Sequence, residues 1–159
     1  MSTILDYAER RVDLLAWQGF ADTPPGVEVL LVPALATPTE GGRIVAGIEK
    51  RAQEFLRLLL MQQGTVAYAP AEGCRFMSDA AAGRWRTVAD VEESFAFSLV
   101  DIRRQLLATQ ADDDPADERF LDAQLQNVVL DGSRVAISIL YQSEAADVTL
   151  LVPLTVSIA

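Results

Sequence analysis

The sequence predicts an α+β domain: two amphipathic helices packed on an antiparallel three-strand C-terminal meander, preceded by an extended N-terminal arm. Three observations point there. Apolar residues recur at helical spacing in two segments between Arg43 and Leu106. They alternate with polar residues from Arg119 to Ile158, and proline and glycine interrupt the first 42 residues. At 159 residues the chain fits one domain and buries on the order of 70% of its unfolded surface, enough for a real core.

Residues 1–42 read as an arm. Val12 to Trp17 and Val27 to Val32 suit short strands joined by the turn Thr23-Pro24-Pro25-Gly26, and Pro33 to Gly42 suits an extended connector. A helix over Leu5 to Trp17 is the competing assignment, because Leu5, Val12 and Ala16 also share one face.

Residues 43–159 form the main domain. Ile44, Ile48, Ala52, Phe55 and Leu59 recur at steps of four and three, with Glu49, Lys50, Gln53, Glu54 and Arg57 between them. This predicts a helix from about Arg43 to Gln62, ended by Gly64. The Gly- and Pro-bounded stretch from Gly64 to Cys74 reads as a loop; its glycines are too far apart for a phosphate cradle and no lysine follows. A second stripe of Val88, Val91, Phe95, Leu99, Ile102 and Leu106 predicts a helix opened by Thr87, with Asp90 completing a capping box. Its polar side holds Glu92, Glu93, Asp101, Arg103 and Arg104. The run Asp112 to Glu118 carries five acids and no base; lacking the alternation and glycine of a calcium loop, it predicts a solvated, flexible connector.

The meander follows. Leu121, Ala123 and Leu125 share one face while Asp122, Gln124 and Gln126 share the other. Asp131-Gly132 supplies the first turn, and Val135, Ile137, Ile139 and Tyr141 resume the period of two. After a turn at Glu144 to Asp147, the last strand places Val148, Leu150, Val152, Leu154, Val156 and Ile158 on alternate positions. Proline donates nothing to a ladder, so Pro153 marks this strand as a sheet edge. Exposed edges usually carry charge to prevent aggregation, yet no charged side chain follows Asp147. Such a strand predicts a cover, most simply a strand from another protein.

Composition limits the chemistry. With no histidine, the side chain behind most general-base and metal-ligand roles is missing, which excludes Ser-His-Asp, Cys-His and His-rich metal sites. The single Cys74 forms no internal disulfide and reads as a buried small thiol; neither a metal nor a cofactor is expected. A net charge of -10 disfavours nucleic-acid binding, and Arg75, Arg84 and Arg86 are expected to pair with carboxylates instead. The first residues lack the apolar core of a signal peptide, and no apolar run approaches the ~20 residues that span a bilayer. No membrane partner is expected.

From Arg43 to Ile158 the order of motifs resembles the small baseplate wedge proteins of contractile phage tails. These form the sheath-initiator family, with relatives in pyocin-like particles and type VI secretion baseplates. Leu58-Leu59-Leu60-Met61-Gln62-Gln63-Gly64-Thr65 sits where the family has a leucine-rich helix end and a Gly-Thr/Glu step. Tyr68 and Gly73-Cys74-Arg75-Phe76 follow at the family's Gly-Cys/Thr-x-Phe/Leu step. Asp117-Glu118-Arg119 occupies the place of a Glu-Pro-Arg signature, without its proline, and Asp131-Gly132 and Ile137 to Tyr141 match a turn and a strand ending in Tyr.

The resemblance implies a structural subunit and not an enzyme. Its place would be the tail baseplate of a virion assembled in the host cytoplasm, joining the wedge to the first sheath ring. The implied partners are the larger wedge proteins and the tail sheath protein, with tube or hub proteins as further candidates. Val148, Leu150, Val152, Leu154 and Val156 form the expected strand-addition interface. Glu118 and Arg119, a carboxylate and a guanidinium at the loop-strand junction, are expected to form a bidentate pair, either as an internal clasp or against a neighbouring subunit. The alternative is a peptidoglycan-degrading, lysozyme-like glycosidase, for which Glu72, Asp79, Glu92 and Glu93 are the available acids. A cytoplasmic adaptor sharing only the architecture is a third possibility.

Overall fold

The computed structural model describes Arg11, residues 13–14, 17–18 and 32–33, and residues 44–156. Four two-residue strands come first: β1 (Asp13–Leu14), β2 (Trp17–Gln18), β3 (Val32–Pro33) and β4 (Ile44–Val45). Three helices follow, α1 (Gly47–Leu60), α2 (Phe76–Ala81) and α3 (Val88–Thr109). The chain continues through β5 (Phe120–Asp131), β6 (Arg134–Ser143) and β7 (Asp147–Thr155). β1 pairs antiparallel with β4, and β2 with β3. The remainder of the arm, with most of the span of the strands or helix expected there, lies outside the described residues, as does Ile158.

β5, β6 and β7 form an antiparallel meander in that order, so the α+β class and the C-terminal sheet follow the sequence pattern. Across the inner face run the rows Ala123–Tyr141–Val148, Leu125–Ile139–Leu150 and Val128–Ile137–Val152. One expectation fails at the start of β5. Phe120 opposes Ser143 and Asp122 opposes Gln142, so Leu121 is an extra, bulged residue. The bulge shifts the alternation by one position: Phe120 turns into the core and Leu121 is 51% exposed. A second irregularity at Gln126 moves the inward positions to Val128 and Leu130.

α1 lays Ala52, Phe55, Leu56 and Leu59 against this face. It begins four residues later than the periodicity implies, because Ile44–Val45 is committed to β1 and Gly47, at φ +62°, turns the chain from strand into helix. It ends at Leu60, ahead of Gly64, which serves the turn that follows. α3 starts as its capping box predicts: Thr87 Oγ1 accepts from Asp90 N at 3.2 Å and Asp90 Oδ2 accepts from Thr87 N at 2.7 Å. Val91, Phe95, Ile102 and Leu106 are buried; Val88 is exposed and Leu99 only partly covered. The sequence periodicity did not resolve α2, a helix too short to show a repeat. Its Phe76 stacks at 4.5 Å on Trp85 and meets Phe95 edge-on at 6.2 Å, while Tyr141 holds Phe55 and Phe120 at 5.6 Å each. Each such large side chain contributes roughly 1.5 to 3 kcal/mol by leaving water. Cys74 is buried as expected; its thiol donates to Leu59 O, and burial pushes its pKa up.

The helix layer depends on Gly73. Gln105 on α3 clamps it from both sides, accepting from Gly73 N at 2.9 Å and donating to Gly73 O at 2.8 Å. Cys74 N meanwhile donates to Met61 O, and a Cβ on Gly73 would meet that same oxygen at 2.4 Å with φ at +90°. Backbone oxygen does not yield, so Gly73→Ala should destabilise by roughly 2 to 4 kcal/mol. Gly64→Ala, at φ +84° with nothing within 4 Å of the new carbon, should cost only about 1 kcal/mol. Urea unfolding of the two variants measures the difference.

Candidate functional site

Two features occupy the positions singled out by the sequence. One is the clasp at Glu118 and Arg119, the other is the free side of β7.

Glu118 is 1% exposed, buried against the start of α1. The cap position there is Ala46, which has no side-chain acceptor, so the first helical N–H groups need one from elsewhere. Glu118 supplies it from 71 residues away: Oε1 accepts from Gly47 N at 3.3 Å. Its other oxygen, Oε2, meets Lys50 Nζ at 2.6 Å. Negative charge at the positive end of a helix is favourable in its own right. Arg51, 4% exposed, completes the junction. Its Nε donates to Glu118 O at 2.9 Å, and its Nη2 donates to Leu106 O at 3.3 Å in the last turn of α3. One end of each long helix is thus capped across the same junction.

Glu118 and Arg119 do not pair with each other as expected. Adjacent residues entering a strand point to opposite sides, so Glu118 turns in and Arg119 turns along the surface. Arg119 donates to Asp114 O at 2.8 Å and Asp112 O at 2.7 Å and reaches Glu144 Oε2 at 3.3 Å. These bonds correct the picture of the acidic run as a flexible connector. Asp114 is buried, and its Oδ2 accepts from Ala111 N at 2.8 Å. The arginine gathers the carbonyls of the run and ties it to the β6–β7 turn.

Beyond the clasp lies β7. Val148, Leu150 and Val152 are buried, Val156 nearly so, and Leu154 is partly covered. Their side chains belong to this chain's own core, so a partner at this edge would meet main chain and the side chains of the opposite face. The direction of the main-chain groups follows from the two ends of the strand. Ala146 O accepts from Ser143 N at 2.8 Å, and Val156 N donates to Ser133 O at 2.7 Å. The register between them is unbroken, so even-numbered residues bond to β6 and odd-numbered ones point away. Asp147, Thr149, Leu151 and Thr155 therefore direct both N–H and C=O to the open side, where Pro153 offers a carbonyl only. No described strand pairs with that side.

The opposite edge of the sheet is blunted. β5 carries bulges at Leu121 and Gln126, and Arg103 donates to Leu121 O at 3.3 Å while lying 3.9 Å from Asp122. Bulges and charge at an edge discourage pairing with another chain. β7 has neither between Val148 and Leu151.

The acids considered for glycoside hydrolysis lie elsewhere. Asp79, 3% exposed, accepts from Arg75 at 2.9 Å, Arg84 at 2.8 Å and Ser94 at 2.9 Å. Burial works to raise its pKa, but these hydrogen bonds and the two guanidinium charges outweigh it and hold the carboxyl below the usual range. A general acid needs the opposite shift. Asp79, Glu93 and the two arginines line a shallow cavity of about 130 Å³ beside Trp85 and Phe97. Glu92 and Glu93 are exposed early in α3, and Glu72 pairs with Arg57 at 2.7 Å. Among the described residues no three His, Cys, Asp or Glu side chains converge to hold a metal, and no helix is long and apolar enough to cross a membrane. No protein-family model, curated protein or solved structure matches the chain.

Lys50, Arg51 and Gly47 were not legible as site residues. Their partners lie 55 to 71 positions away, and no local spacing signals a contact of that range. Truncating Glu118 leaves the buried Gly47 N–H unpaired and Lys50 without its carboxylate, with only the Arg11 carbonyl still accepting from it at 3.2 Å, so Glu118→Ala should destabilise by about 3 kcal/mol. Glu118→Gln should cost less, because its amide oxygen still accepts from Gly47. Urea denaturation of both variants gives the ordering.

Proposed function

We propose that this chain is a structural subunit of a contractile-tail baseplate that joins the wedge to the first sheath ring by offering β7 for strand addition. The single observation that carries the proposal is the outward row of main-chain groups at Asp147, Thr149 and Leu151, on a strand whose alternate side chains anchor it in the core. A rigid, register-fixed edge can template an extended arm through hydrogen bonds without depending on that arm's sequence. Pro153 limits the pairing to the first half of the strand.

The order of motifs from Arg43 onward supports the same role through its resemblance to sheath-initiator proteins. The sheath protein would supply the added strand. The larger wedge proteins would hold the opposite side, with tube or hub proteins as further neighbours, in a baseplate assembled in the host cytoplasm. No catalytic step is required of the chain, and Glu118 and Arg119 serve by fixing the sheet to the helices.

Deleting β7 would remove Val148, Leu150 and Val152 from the core, so a point test is cleaner. Thr149→Pro with Leu151→Pro removes two outward donors and leaves every bond to β6 in place. Particles carrying this pair should form baseplates and tubes with little attached sheath, while the purified variant keeps a cooperative melt. Normally sheathed tails would contradict the proposal.

A further inference from the structure

α3 has a second apolar face. Val91, Phe95, Ile102 and Leu106 fill its buried side, yet Phe97, Val100 and Leu107 stand 52%, 69% and 47% exposed. They lie on one side of the helix at steps of three and seven, where a solvated face would be polar. Among the described residues the Arg75 guanidinium lies against one end of the stripe, 5.3 Å from the centre of the Phe97 ring, and leaves that ring half exposed.

The charges around the stripe identify what covers it. Glu92 and Glu93 lie on the N-terminal side of Phe97 and Val100, and Arg103 and Arg104 on their C-terminal side, with Leu107 one turn further on. Among the described residues Glu92 and Glu93 make no hydrogen bond or ion pair, and Arg104 pairs with Asp101 on its own helix at 2.9 Å. A helix that reads acidic, apolar, basic is complementary to its own reverse. Laid antiparallel about a two-fold axis between Phe97 and Val100, each Phe97 faces the partner's Val100. In the same alignment each Glu93 faces the partner's Arg104, twice by symmetry, and Leu107 covers the partner's first turn at the exposed Ala89. A parallel arrangement would instead set acid on acid and arginine on arginine.

We infer that α3 is a self-association surface through which two copies of this chain pair antiparallel, with an isologous Phe97–Val100 centre and Glu93–Arg104 cross pairs. The contact is one helix against one helix, the small end of specific interfaces, so the dimer is a concentration-dependent one. It uses neither edge of the sheet and holds whether or not the strand-addition role does.

Analytical ultracentrifugation of the full chain, from about 5 µM to 500 µM, tests the inference in the range expected for a small, weak interface. A monomer–dimer equilibrium is expected, weakened by added salt. Val100→Asp, at a side chain too exposed to matter for folding, should reduce association at least about tenfold without moving the melting temperature. Glu93→Arg and Arg104→Glu should each weaken the dimer alone, and mixing the two single variants should restore it, because the mixed pair regains both cross contacts. A chain that stays monomeric throughout overturns the inference. So does a dimer indifferent to Val100→Asp, a mixture no better than its components, or a dimer abolished by Leu151→Pro instead.

Discussion

The structure depends on one buried carboxylate. Among the described residues Glu118 is the acceptor brought to Gly47 N at the start of α1, and it does so from two residues before β5 begins. That single contact joins the first helix to the sheet across most of the domain. Arg51 then ties the same point to the end of α3, bonding Glu118 O and Leu106 O at once. A buried ion pair is a poor source of net stability, because removing two charges from water costs several kcal/mol each. Its value here is geometric. The positive end of α1 and the negative end of α3 are each met by a charge of opposite sign, and only one mutual placement of the two helices and β5 satisfies both.

What that placement secures is the contrast between the two edges of the sheet. Where β5 leaves the clasp, its bulge at Leu121 and the reach of Arg103 close that edge to further pairing. β7, two strands away, is anchored by the buried Val148, Leu150 and Val152 and keeps its outward main-chain groups in an unbroken register. An edge that is bare but mobile would invite indiscriminate pairing. One whose register is set by a buried face offers a partner a defined number of bonds, ended by Pro153.

Much of this was legible from local pattern. The capping box of Thr87 and Asp90, the buried stripe of α1, the turn at Asp131-Gly132 and the alternation of β6 and β7 each depend on residues within a few positions of one another, and each appears where its spacing implies. What escaped was non-local. The bulge at Leu121 is a property of a strand pair, so β5 alone could not reveal that Phe120 would turn inward. The acidic run looked solvated because its charges were counted without Arg119, Ala111 N and Lys50, which engage it in three dimensions. The free edge was legible as an uncharged strand containing proline. Which of its residues face outward required the two hydrogen bonds at its ends.

Among the described residues, the amides of Thr149 and Leu151 in the first half of β7 have no strand partner. Residue-resolved hydrogen exchange tests it directly, because neighbouring amides on one strand differ only in the side to which they point. Rapid exchange is expected at Thr149 and Leu151 and strong protection at Leu150 and Val152, with the fast pair becoming protected when a strand-donating partner is added. Equal protection of all four amides in the isolated chain would show instead that the edge is already covered and that β7 offers no free strand.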